Sequence, residues 1–72
     1  MYIRIRAIAS AKKESIIETG DNRYTIQVKE PKLRNLANNR IIEIFREMYP
    51  GKRMRIINGY NAPYKLLSID EE

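Results

Sequence analysis

The chain contains no cysteine, no histidine and no tryptophan, and the first two absences each close off a class of chemistry. Without cysteine, neither a disulfide nor a thiolate metal site can supplement a small core. Without histidine, the commonest zinc ligand, the commonest general base and the usual pH switch are lost together. No apolar run exceeds three residues, so no stretch reads as a transmembrane span or as the apolar segment of a signal peptide. The expected setting is therefore cytoplasmic. A length of 72 residues allows one domain, 1–72, with a single core of a size at which stability is marginal.

What is present is positive charge. Fourteen Lys and Arg stand against nine Asp and Glu, for a net charge of +5 and a pI near 9.7. An excess of this size on so small a body favours polyanionic partners, RNA foremost, through long-range attraction. It is equally what a merely well-solvated surface carries. The carboxylates are unpaired along the chain: Glu14, Glu18 and Asp21 fall in loop-like sequence without a histidine or cysteine nearby. That pattern predicts no metal site, no acid/base dyad and no cofactor.

Periodicity organises the rest. From Tyr2 to Ala9, Ile3, Ile5, Ala7 and Ala9 alternate with Arg4 and Arg6, the mark of a half-buried strand. Ser10 to Glu14 is a polar loop, and Ser15 to Thr19 adds at most a short extended piece before the turn cluster Gly20-Asp21-Asn22. A second strand, 23–29, faces Tyr24, Ile26 and Val28 inward, and Pro31 ends it because it lacks the amide proton a ladder needs. Ala37, Ile41, Ile44, Phe45 and Met48 recur at helical spacing after Asn35 as N-cap, which predicts a helix over 35–48. Tyr49-Pro50-Gly51 stops it. Strands at 53–58 and 64–69 follow, separated by the turn Asn58 to Pro63, and Asp70-Glu71-Glu72 reads as a frayed acidic end. The expected order is ββαββ, with the helix buried against Ile26, Val28, Met54 and Ile56.

Four motifs in this order carry a resemblance. They are Ala11-Lys12, Val28-Lys29-Glu30-Pro31, Ala37-Asn38, and Gly59 followed six residues later by Lys65. Together they make residues 7–69 similar to the YggU-like family, a group of small domains of unknown function. Lys32 and Asn35 stand where that family usually has a second proline and a glycine, and Ala62-Pro63 replaces its Ser-Arg. The resemblance implies an α+β, two-layer sandwich with a mixed four-stranded sheet and one helix, and it implies no activity. Family members usually continue into a second helix, which here is expected to be missing or very short.

The candidate sites follow from these elements. Lys65 shares strand parity with Leu67 and Ile69, so its stem is expected to lie toward the core with the ammonium carried out past the sheet edge. The functional alternative is a phosphate-sized anion held by Lys65 beside the amides of the Gly59 turn, with Asn38 close by at the helix start. Lys12, Lys13, Lys29 and Lys65, near Arg4 and Arg6, are the expected nucleic-acid-binding residues, with Tyr60 and Tyr64 available to stack on bases. A helix about 10 Å wide covers only half of a four-stranded face nearly 20 Å wide. Ile3, Ile5, Leu67 and Ile69 are accordingly expected to be left uncovered and to form a homodimer interface. The best reading is a small non-enzymatic accessory module that binds RNA weakly through a basic face. A protein-interaction or homo-oligomerisation module is the alternative, and an enzyme ranks last because no neighbour is in view to activate Lys65.

Overall fold

The alternation at the N-terminus folds as its period demands. In the computed structural model, which describes residues 1–70, β1 spans Tyr2–Ile8, with Ile3 and Ile5 buried and Tyr2, Arg4 and Arg6 exposed. The chain continues through β2 (Ser15–Gly20), β3 (Arg23–Gln27), one 3-10 turn (Leu33–Asn35), α1 (Leu36–Met48), β4 (Met54–Asn58) and β5 (Tyr64–Ile69). The strands form one mixed sheet in the order β2-β3-β1-β5-β4. β1 runs parallel to β3 and antiparallel to β5, while β2–β3 and β4–β5 are antiparallel pairs. The class is α+β with one helix over a mixed sheet. Glu71 and Glu72, read from the sequence as part of a frayed end, lie outside the described residues.

Three expectations need correction. The sheet has five strands, because Ser15–Gly20 is a full edge strand and not a short extended piece. Its adjacent Ile16 and Ile17 are both exposed, so no inside/outside alternation marked it. The second correction concerns Ile3, Ile5, Leu67 and Ile69, which are at most 2% exposed. Their strands, β1 and β5, are not peripheral: they sit inside the sheet, so these residues form the core centre and offer no uncovered interface. The third is Met48, which is exposed at the end of α1, while Tyr49 packs against the core in its place.

One layer of apolar side chains joins helix and sheet. Ala37, Ile41, Ile44 and Phe45 of α1 meet Ile26 and Val28, Ile3 and Ile5 of β1, and Leu67 and Ile69, with Met54 and Ile56 half-buried at the margin. Phe45 is fully buried and meets the Tyr24 ring edge-on, with centroids 5.4 Å apart at 81°, the geometry aromatic quadrupoles favour. Both Arg34 (φ 53°) and Asn35 (φ 59°) enter the helix through left-handed conformations. Asn35 does occupy the N-cap position but makes no side-chain cap hydrogen bond. It serves through its tolerance of positive φ. On the outer side, the Arg40 guanidinium grips the Glu14 carboxylate with Nε at 2.7 Å from Oε1 and Nη2 at 2.9 Å from Oε2. This fork ties the loop before β2 to the helix, and it holds the Glu14 carboxyl below its usual 4.5.

Two predictions follow from this layer. Phe45→Ala removes the largest fully buried side chain and should cost about 3–5 kcal/mol, comparable to the whole stability of so small a domain. A thermal melt by circular dichroism should show either no cooperative transition or one lowered by more than about 15 °C. The Glu14–Arg40 fork should show itself in pH dependence. A carboxyl that titrates lower when folded stabilises the fold above its unfolded value and loses that effect as pH falls through its folded one. Urea midpoints should therefore separate Arg40→Met from the parent at pH 7, and the gap should narrow at about pH 3.

Candidate nucleic-acid interface

The polar turn after β4 and the start of α1 are brought together by side chains reaching across sequence. Lys65 is on the helix side of β5, as its parity requires, and is only 9% exposed. Its Nζ donates to the carbonyl oxygens of Gly59 at 3.0 Å and Tyr60 at 2.9 Å. Asn38, also buried, donates its Nδ2 to the same Tyr60 carbonyl at 2.9 Å. The expected trio Asn38, Gly59 and Lys65 therefore does assemble, but in the opposite electrostatic sense. The turn presents carbonyls to the ammonium rather than amides to an anion, and the ammonium is turned inward instead of being carried past the sheet edge. Burial first, and then the neighbouring charge of Lys32, push the Lys65 pKa below that of an ordinary lysine.

Gly59 is what lets this turn come so close to β5. Its φ is +73°, and a Cβ there would overlap the carbonyl oxygen of Tyr64 and crowd the Lys65 Cα. No side chain fits without opening the turn.

The other face of the sheet carries no helix, and by register it is cationic. Arg4 lies directly opposite Arg23 on β3 and Leu66 on β5. One step along, Arg6 lies between Thr25 and Tyr64. Tyr2 and Arg55 both oppose Ser68 and so share this face. An open groove of about 600 Å³ runs over it, lined among others by Arg4, Arg6, Arg23, Thr19, Thr25, Asn58 and Tyr64. Among the described residues no carboxylate lines it. Like charges directly opposite on paired strands repel, so the Arg4–Arg23 pair is held at a cost that an anion lying over it would remove.

The sequence-predicted lysines divide differently. Lys12, Lys13 and Lys29 are exposed in the segments beyond the ends of β1 and β3, where Lys29 is near enough to Glu14 to lower its carboxyl pKa. Lys65 does not belong with them, since its ammonium is committed inside the turn. Arg23 and Arg55 were missing from the expected site. Their outward parity was readable, but only the strand order places them beside Arg4 and Tyr2. Tyr64 is 68% exposed at the groove, while Tyr60 lies on the turn by Lys65. Among the described residues no three carboxylates, histidines or cysteines are grouped to hold a metal, and no helix is long and apolar enough to cross a membrane.

No family model matches the chain, and no solved structure matches it.

The Gly59 turn generates a direct test. Gly59→Ala should destabilise by at least about 2 kcal/mol, from the left-handed backbone together with the overlap on Tyr64. Differential scanning calorimetry should record a fall of about 10 °C or more, while Gly51→Ala, whose Cβ would meet nothing within 4 Å despite φ +78°, should cost less.

Proposed function

We propose that this chain is a small non-enzymatic module that binds single-stranded nucleic acid, RNA foremost, weakly and without sequence preference, on the helix-free face of its sheet. The observation that carries this reading is the groove lined by Arg4, Arg6 and Arg23 with Tyr64 at its side and, among the described residues, no carboxylate in its lining. Guanidinium groups pair with phosphate oxygens in a fork that a lysine cannot form. Exposed tyrosine rings on a strand surface stack on unpaired bases of any identity. Lys12, Lys13 and Lys29 extend the positive field from the strand ends, while the Lys65 ammonium is bonded to the turn carbonyls on the helix side. The reading is binding rather than catalysis because the groove offers cations, hydroxyls and a ring, with no general base beside a nucleophile.

Membership of the YggU-like family is proposed with it. What supports the resemblance is that its separate motifs, Ala37-Asn38 and Gly59 with Lys65, are joined through the Tyr60 carbonyl. A second reading, a protein-interaction or homo-oligomerisation module, is favoured by one feature: the edge strand β2 leaves Ile16 and Ile17 41% and 56% exposed, and unpaired strand edges recruit other strands.

Fluorescence anisotropy with a labelled single-stranded RNA separates these readings. With three phosphates engaged, affinity should fall about 20-fold between 50 and 200 mM salt. The triple variant Arg4→Ala/Arg6→Ala/Arg23→Ala should lose at least about ten-fold in affinity at low salt and most of the salt slope. Tyr64→Ala should weaken binding by about ten-fold while leaving the slope unchanged. If the triple variant binds like the parent at both salt concentrations, the sheet face is not the site. Sedimentation showing concentration-dependent self-association, abolished by Ile17→Asp and unaffected by RNA, would favour the second reading instead.

A further inference from the structure

We propose that the small cleft between the start of α1 and the turn after Gly59 is a site for a single phosphate group, held by Lys32, Lys65 and Asn38. The inference does not depend on the sheet-face reading, which concerns the opposite side of the sheet.

The cleft has a volume of about 130 Å³ and is lined by Lys32, Ala37, Asn38, Tyr60, Asn61 and Lys65, among others. It is a recess for a group, not for a nucleoside. Its donors exceed the acceptors that face them. Of the three N–H bonds of the Lys65 ammonium, two go to the Gly59 and Tyr60 carbonyls and one remains. Asn38 likewise uses one amide proton on Tyr60 and keeps the other. Lys32 lines the same recess, close enough for its charge to act on Lys65. Among the described residues no carboxylate lines the cleft to answer either cation.

Two ammonium groups sharing a small recess, one of them nine-tenths buried, repel each other where water screens them poorly. The Gly59 and Tyr60 carbonyl dipoles neutralise part of one charge and none of the other. A tetrahedral oxyanion in the recess would accept from the third Lys65 proton and the second Asn38 proton while pairing with Lys32. The start of α1 adds to the same field, since its first turn holds no acidic residue and no capping side chain. The alanines at Ala7, Ala9 and Ala37 leave room in the recess that longer side chains would fill.

A phosphate group can come free in solution or as the terminal phosphate of a nucleic acid, and the experiment separates the two sources. Amide shifts of the ¹⁵N-labelled chain are followed during titration with inorganic phosphate at constant ionic strength, with chloride as control. Saturable shifts are expected at Asn38, Tyr60, Asn61 and Ala62. Lys65→Met removes the ammonium that ties β5 to the Gly59 and Tyr60 carbonyls and threatens the fold, so the exposed Lys32 carries the comparison. Lys32→Ala should weaken phosphate binding at least five-fold, and Lys13→Ala should leave it unchanged. Two oligonucleotides identical but for a 5′-phosphate complete the test. Tighter binding of the phosphorylated one, lost in Lys32→Ala, assigns the site to nucleic-acid ends, whereas equal binding of both assigns it to free phosphate. The triple arginine variant should retain phosphate binding in full even if it no longer binds RNA. The site is overturned if phosphate produces no saturable shift, if Lys32→Ala and Lys13→Ala behave alike, or if the arginine variant loses phosphate binding too.

Discussion

β1 has a partner on each side, parallel β3 and antiparallel β5, and the rest of the structure follows from how it sorts its side chains. A strand with two neighbours cannot twist away to hide a misplaced residue, so its alternation is imposed on the whole sheet. Ile3 and Ile5 go to the helix, and Tyr2, Arg4 and Arg6 go to the open face. The registers carry this choice outward. Tyr24 and Lys65 flank Ile5 on the core side, and Thr25 and Tyr64 flank Arg6 on the other. A slip of one residue in β1 would bring arginines under α1 and expose the centre of the core. The cationic groove and the apolar core are thus two consequences of one register.

Among the described residues Lys65 is the one charged side chain that is buried, and its neighbourhood is arranged around it. A lysine at this position must either reach water or find acceptors. The turn of Gly59 and Tyr60 supplies two carbonyls, and only glycine at 59 lets the backbone approach β5 closely enough to do so. Asn38 is the second donor to the Tyr60 carbonyl and so ties the start of α1 to the turn. The start of α1 and, twenty-two residues on, the turn that leads into β5 therefore meet at one carbonyl oxygen. The same economy leaves the Lys65 ammonium with a spare donor and Lys32 with no counter-charge in the cleft.

The sequence made legible whatever depends on local period or local stop signals. The alternation in β1 and β3, the apolar face of α1 from Ala37 to Phe45 and the break at Tyr49-Pro50-Gly51 are patterns within about a dozen residues, and they fold as read. The convergence of the two polar turns was also readable, as was the buried side of Lys65. What failed depended on strand order. Leu67 and Ile69 look peripheral because they end the chain's last strand, yet β5 inserts between β4 and β1. β2 was obscured because an edge strand exposes both its faces, so Ile16 and Ile17 need not alternate with polar residues. The arginine face shares this cause: Arg4 and Arg23 are nineteen positions apart, and only the parallel pairing of β1 with β3 sets them side by side.

The distribution of acidic residues completes the argument. Glu14 and Glu43 are drawn together by Arg40 on the outer side of the molecule, where the fork and a further contact from Nη1 to Glu43 at 3.1 Å neutralise charge locally. Among the described residues neither the open groove nor the small cleft has a carboxylate in its lining. A net charge of +5 spread evenly over the surface would be adequately explained by solubility. Of the fourteen Lys and Arg, three arginines line the open groove and two lysines the small cleft. Concave, weakly screened positive surface focuses a field outward and raises the local concentration of anions. In both places like neighbours repel with no carboxylate among the described lining residues to offset them, and it is there that the proposed anions would sit.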